Sequence, residues 1–530
     1  MMHSSNLIDY LAQSKLVGAL VAKMQKLSIS RRVRLVETHI SWVILDGNYA
    51  YKIKKNVDLG FLNYSTLQNR HNCCEEEIRL NKRLAPDLYL DVITVSGTPE
   101  NPVLGGKFAI EYAVRMRRFA TSKQFDQLAR ANKISIPYID ILAAVVANFH
   151  CELAPAIIIS PFATPRTIKF DAEQNFKQLK HLLVEKTDLD KLKLICSASN
   201  FELNSCRSLI EQRRSQGFIR ECHGDLHLGN IVLFGERPTP YDCIEFNAAL
   251  RWIDVISEVA FTTMDLVYHQ HDGLAYRFLN AYLEITGDYA GIRLLRFYMA
   301  YRAMVRAKVQ LIRVRQLKVA APMEARMSFR QYMDLALNCL KHKRAALIIT
   351  HGLPGSGKTT FSQVALERLH GVRIRSDVER KRMFGLHALA NSSAAIGVNM
   401  YSAEVTQRTY DHLYELAHSL LMAGYTVIVD AAFLKKSERD NFRRLAEEIL
   451  VPFVIASLQA KRETLLDRVK ERSRTSKDAS EADINVLKHL AIEQECILPE
   501  ESNAVAVFGN EGVGFEIDQT GWRKLLTLLT

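Results

Sequence analysis

The rhythm of apolar and polar positions changes twice along the chain. After a helical start, His39–Leu45 and Tyr49–Lys54 alternate or run apolar on either side of Asp46-Gly47-Asn48, a tight-turn string that predicts a β-hairpin. A helix is expected over Asn72–Leu84, stopped by Ala85-Pro86, and Tyr89–Val95 and Phe108–Arg115 read as two further strands. The opening region is therefore a small antiparallel sheet with one inserted helix. From Phe125 to Leu340 the pattern becomes mainly helical, broken by the strand-like pieces Ile231–Phe234 and Tyr241–Phe246. After the basic join Leu340–Arg344, four short apolar runs (Ala345–Thr350, Val372–Arg375, Thr426–Asp430 and Pro452–Leu458) alternate with long helical stretches, which predicts an α/β domain with a parallel sheet.

A chain of 530 residues is too long for one core and should divide into about three folding units. Its formal charge of +12 admits nucleic acid, an anionic surface or a polyanionic substrate as partner. Basic residues gather near the phosphate-handling segments described below (Arg373, Arg375, Arg380, Lys381, Arg382; then Arg468, Lys470, Arg472, Arg474), which favours phosphate chemistry over a merely solvated basic face. The nine cysteines include no C-x-x-C, so neither a zinc site nor a disulfide framework is indicated and a reducing, cytoplasmic setting is expected. No run reaches the length of a membrane span, Ile139–Phe149 being short and interrupted by Asp140 and Asn148.

The strongest chemical signal is Gly352-Leu353-Pro354-Gly355-Ser356-Gly357-Lys358-Thr359-Thr360, a G-x-x-x-x-G-K-T string between a predicted strand and a predicted helix. Glycines let backbone N–H groups wrap a β-phosphate, the helix N-terminus favours the anion, Lys358 pairs with β/γ oxygens and the Thr359 hydroxyl meets Mg²⁺. Asp430, closing its strand at the C-terminal edge of the sheet, is the candidate second metal residue, with a helix N-cap as the plainer alternative. Asp377 likewise sits where a strand hands over to a helix.

Asp377-x-x-Arg380, the Asp430 strand and Arg468-x-x-x-Arg472 resemble the small P-loop kinases of the polynucleotide-kinase, zeta-toxin and gluconate-kinase group over about Ile348–Leu498. The resemblance implies Asp377 as the base toward an acceptor hydroxyl, Arg380 as substrate clamp, and Arg468 and Arg472 as lid arginines over the transferring phosphoryl group; a solvated face on Glu463–Arg474 is the alternative. Lys477–Ala482 reads as a mobile polar segment.

A second constellation lies upstream. His223-Gly224-Asp225-Leu226-His227-Leu228-Gly229-Asn230 resembles the catalytic loop of two-lobed kinases, most closely that of aminoglycoside phosphotransferases and choline kinases. The resemblance, over roughly Arg34–Tyr282, implies Asp225 as base and Asn230 as Mg²⁺ ligand. Glu245, in Ile244-Glu245-Phe246, stands where those families carry a metal-binding Asp, and Glu258 replaces a further Asp. Lys52 is the candidate phosphate-binding lysine, with Lys54 as alternative, and Glu77 its helix partner, with Glu75 and Glu76 as rivals. No glycine-rich loop of the G-x-G-x-x-G kind is present in this part.

The expected architecture is an α+β two-lobed kinase-like domain (residues 1–290), a helical extension or connector (291–343) and an α/β P-loop domain (344–530). The expected function is ATP- and Mg²⁺-dependent phosphoryl transfer to a hydroxyl of a small-molecule or nucleotide-like acceptor. The alternatives are an ATP-hydrolysing or ATP-sensing P-loop protein with a non-catalytic kinase-like module and, less favoured for want of an aromatic stacking string, a nucleic-acid 5′-hydroxyl kinase.

Overall fold

The computed structural model describes residues 4–27, 32–60, 62–316, 323–342, 344–388, 390, 402–475, 483–510 and 519–530. The chain divides into two compact units, residues 1–181 with 203–265, and residues 182–202 with 266–530.

In the first unit, β1 (Arg34–Glu37), β2 (Ser41–Asp46), β3 (Tyr49–Lys54), β4 (Tyr89–Thr98), β5 (Asn101–Leu104) and β6 (Glu111–Arg117) form one antiparallel sheet in the order β1-β2-β3-β6-β4-β5. The β2–β3 turn is made at Gly47, whose φ of 55° suits the residue without a Cβ. Leu16, Leu20 and Met24, one helical turn apart on the helix Ser4–Leu27, bury one sheet face together with Trp42, Ile44 and Ile53. Cys74 and Ile78 of the helix Leu67–Asn81 cover the other face against Val114 and Met116. Helices then dominate, with the small pair β7 (Ile219–Glu221) and β10 (Trp252–Asp254) and the hairpin β8 (Ile231–Phe234) to β9 (Arg237–Pro240).

Two sequence expectations are corrected here. The helix predicted from Asn72 starts at Leu67, because Thr66 accepts from Asn69 N at 3.1 Å and caps it. Tyr241–Phe246 is not a strand: the strand is β9, and Asp242 takes φ 65°, which breaks the pleat. β1 and β5 escaped the periodicity because β1 is exposed along its length and β5 carries Pro102 at the sheet edge.

The second unit holds β11 (Leu347–His351), β12 (Val372–Arg375), β13 (Val427–Asp430), β14 (Phe453–Gln459) and β15 (Val505–Gly509) in a wholly parallel sheet ordered β12-β13-β11-β14-β15. Central parallel strands are covered on both faces, which is why β11 and β13 read as unbroken apolar runs. Phe361 and Leu366 of the helix Lys358–Leu369, and Trp522 and Leu525 of the helix Gln519–Leu529, pack with Ile348, Ile428, Val454 and Phe508. The helices Asp272–Thr286, Ile292–Gln316 and Met323–Leu340 belong to this same unit, so the expected boundaries at residues 290 and 343 fall inside it. The fold is thus an α+β region built on a six-stranded antiparallel sheet, and a P-loop domain built on a five-stranded parallel sheet. Among the described residues no helix is long and apolar enough to cross a membrane.

Candidate functional site

The P-loop leaves the central strand β11 and enters the helix Lys358–Leu369 through backbone that glycine alone adopts cheaply: φ is 149° at Gly352, 83° at Gly355 and 96° at Gly357. A Cβ on Gly352 would stand 2.7 Å from Leu458 O and 2.8 Å from Ser356 Oγ, so the tight wrap is steric necessity. Lys358 Nζ folds back over the loop, donating to Gly352 O at 2.9 Å and Leu353 O at 3.0 Å. Ser356 is buried with a hydroxyl lacking a protein partner, whereas Thr360 is exposed.

Parallel register sets Arg375, the last residue of β12, opposite Asp430, the last residue of β13. Asp430 is buried; its Oδ2 accepts from Ser362 Oγ at 3.0 Å and lies 3.7 Å from Arg375 Nε. Thr359, one turn before Ser362, brings its backbone oxygen into the same cluster, accepting from Ser362 Oγ at 3.1 Å. Hard oxygen donors of this kind, a carboxylate beside a threonine, fit Mg²⁺. Asp377 opens the helix Ser376–Met383, and Arg380, three residues on, donates to its Oδ1 at 3.3 Å, so the expected base and clamp are joined.

Arg468, the expected lid arginine, lies against the P-loop. Its Nη1 donates to Gly355 O at 3.2 Å and its Nη2 to Asn510 Oδ1 at 3.2 Å, while Asn510 Nδ2 donates to Ser356 O at 2.9 Å, so both side chains hold P-loop backbone. The side chain of Arg472 and the segment Lys477–Ala482 lie outside the described residues. Asn510 follows β15, the fifth parallel strand, whose Val-Ala-Val-Phe run was its available signal.

In the first unit both lysines of β3 meet one helix carboxylate: Glu77 Oε1 takes Lys52 Nζ at 2.8 Å and Oε2 takes Lys54 Nζ at 2.6 Å. The rivals are engaged elsewhere, Glu76 with Arg79 and Arg251, Glu75 with His71. Burial opposes ionisation of Glu77, yet the two ammonium groups outweigh it and hold its carboxyl down to about 2. The lysines part beyond Glu77. Lys54 pairs with Glu245, which also accepts from the Tyr64 hydroxyl, and the Glu245 side chain is only 4% exposed. Lys52 pairs with Asp242, whose side chain is 42% exposed. Asp242 was not singled out in the sequence, although a carboxylate directly after a hairpin strand was a usable signal.

The loop around Asp225 is held by backbone bonds to buried carboxylates. Glu258 accepts from Gly224 N at 2.6 Å, His223 N at 3.1 Å and His150 Nε2 at 2.9 Å, and Asp265 accepts from Leu228 N at 2.9 Å. Gly224, at φ 89°, has Leu250 O 2.8 Å from where a Cβ would be. Asn230 Nδ2 donates to Asp225 Oδ2 at 3.0 Å, and Tyr241 N to Asn230 O at 2.9 Å, which ties the Asp242 segment to the loop. Burial alone would raise the Glu258 carboxyl, but His150 and the backbone donors take it to about 2.

Glu77 and Glu258 thus bind a proton more weakly folded than unfolded. Their stabilisation is complete above the ordinary carboxyl value of 4.5 and is lost as pH falls toward about 2. Melts followed by near-ultraviolet circular dichroism should be flat in this respect above about pH 5 and drop steeply below about pH 4. Glu77→Gln should lower the midpoint at pH 7 and make that acid slope shallower.

Residues 347–493 match a family model described as an AAA domain, AAA_33. Uncharacterized proteins of Mycobacterium tuberculosis and Mycobacterium bovis are 29% identical over 84% of this chain and 87% of their own length. A gluconokinase from Sinorhizobium meliloti aligns at 18% identity over 35% of this chain and 95% of its own, with a TM-score of 0.26. A choline/ethanolamine kinase family protein from Mesorhizobium loti aligns at 11% identity over 61% of this chain and 99% of its own, with a TM-score of 0.37. Chaetomium thermophilum Kti12, solved with ADP-AlF3, aligns at 18% identity over 35% of this chain and 99% of its own, with a TM-score of 0.28.

Proposed function

We propose that the chain is an ATP-dependent phosphotransferase whose P-loop unit transfers the γ-phosphoryl group to a hydroxyl of a small-molecule or nucleotide-like acceptor. The observation that carries this reading is the adjacency, at the C-terminal edge of one parallel sheet, of the P-loop, the buried Asp430 and the Asp377–Arg380 pair. A mere ATP sensor needs the first two; a carboxylate paired to an arginine at the next strand end is what an acceptor hydroxyl requires. Lys358 and the loop amides bind the triphosphate, and Thr359 and Asp430 would hold Mg²⁺, which when bound neutralises charge on the β/γ oxygens. Asp377 takes the acceptor proton as its oxygen bonds to the γ-phosphorus and the bond to ADP breaks, while Arg380 orients the acceptor. Single-turnover reactions with γ-labelled ATP should put label on an organic acceptor; label found only in inorganic phosphate, across a screen of sugars, nucleosides and amino alcohols, would overturn the proposal.

For the first unit we propose a second Mg²⁺-ATP site in which Lys52 holds phosphate, Asp225 faces the acceptor, and Asn230 and Asp242 supply metal ligands. Glu245 is the residue that sequence order offers for the metal, but it is enclosed by Lys54 and Tyr64, so its proposed part is to fix β3. In a Lys358→Ala background, Asp242→Asn should weaken Mg²⁺-dependent ATP binding by about tenfold or more while sparing the melting temperature. Glu245→Gln should do the reverse, since it leaves the Lys54 ammonium buried without that partner. Calorimetry with and without Mg²⁺ reads the first, thermal unfolding the second.

A further inference from the structure

The helix Asp272–Thr286 precedes the P-loop domain by some seventy residues yet finishes its sheet. On the edge strand β12, Asn280 Oδ1 accepts from Arg373 N at 2.7 Å and Asn280 Nδ2 donates to Gly371 O at 3.0 Å, so a side-chain amide makes the bonds that a neighbouring strand would make. One turn on, the Glu284 carboxylate takes two arginines: Arg373 Nε donates to Oε1 at 3.0 Å and Arg375 Nη1 to Oε2 at 3.4 Å. Arg373 Nη1 also reaches Thr359 O and Ser362 Oγ, both at 3.4 Å, and Ser362 bonds Asp430, which Arg375 Nε approaches at 3.7 Å. The result is a closed ring of two carboxylates and two guanidiniums that contains Asp430 and the backbone of Thr359. Burial disfavours the charged form of Glu284, and the two arginines override it, holding its carboxyl below the ordinary range.

We propose that Glu284 is a positioning residue of the P-loop site, holding Arg373 and Arg375 so that the Asp430 carboxylate stays open to a divalent cation. This rests on reading the P-loop unit as a Mg²⁺-ATP site. Arginine and carboxylate in a protected site close to about 2.7–2.9 Å when nothing competes. Arg375 Nε stops at 3.7 Å from Asp430 because its guanidinium is shared with Glu284. Without the Glu284 charge, Asp430 is the only anion left in the ring, and Arg375 closes on the oxygens that the metal needs.

The test uses the full chain and the part of ATP binding that Lys358→Ala removes. In Glu284→Gln the Mg²⁺ concentration for half-maximal ATP binding, and the Mn²⁺ affinity read by electron paramagnetic resonance, should worsen about tenfold, with metal-free ATP binding retained. Glu284→Gln combined with Arg375→Gln should recover most of the metal affinity, an outcome that loss of packing at the sheet edge would not produce. An unchanged Mg²⁺ dependence, or an equal loss with and without metal that Arg375→Gln does not rescue, overturns the proposal. A wild-type chain with no Lys358-sensitive ATP binding would sink the nucleotide-site reading itself, and this inference with it.

Discussion

Lys358→Ala should weaken ATP binding at the P-loop by at least about a hundredfold, or about 2.8 kcal/mol. In the structure its ammonium donates to the carbonyl oxygens of Gly352 and Leu353, from which it is poised to turn to phosphate oxygens. A charge-assisted bond to a triphosphate, in a loop whose other contributions are backbone amides, is the largest single polar interaction the site offers. The glycine geometry that shapes the loop does not depend on the side chain, so the melting temperature should move little. Calorimetry on the full chain should show loss of one Mg²⁺-ATP event while that of the first unit persists; retention of both events at wild-type affinity would refute the assignment.

Asp377→Asn should leave ATP affinity intact and lower phosphoryl transfer by at least about a hundredfold, the usual scale for a positioned general base. The amide keeps the size of the side chain but has neither the charge that pairs with Arg380 nor a site for the acceptor proton. Asp377 sits on the helix after β12, one strand further from the P-loop than Asp430, so nucleotide binding should not register the change. Transfer is measured on whichever acceptor the labelled-ATP screen captures. If ATP binding fell together with turnover, Asp377 would belong to the metal or to the fold rather than to the acceptor.

The chain's own order of residues determined a good deal about these sites. The P-loop, the parallel strands β11 to β14 and the acidic strand ends at Asp377 and Asp430 were legible because each is a local signal: steric demand for glycine, two-sided burial of a strand, and a strand-to-helix junction. The loop Asp225–Asn230 was legible for the same reason. What only the tertiary structure decided are choices between neighbours and contacts between distant segments. Three consecutive glutamates are equivalent in sequence, but helix rotation buries Glu77 alone against β3. Asp242 and Glu245 are three residues apart in irregular chain, where no periodicity tells which carboxylate faces Lys52 and which is enclosed with Lys54 and Tyr64. The direction of Arg468 toward Gly355 and Asn510 depends on a fifth strand read only in three dimensions. Asn280 and Glu284 carry no local mark at all, since their partners Arg373 and Arg375 lie about ninety residues on, and only the packing of a helix against a sheet edge brings such charges together.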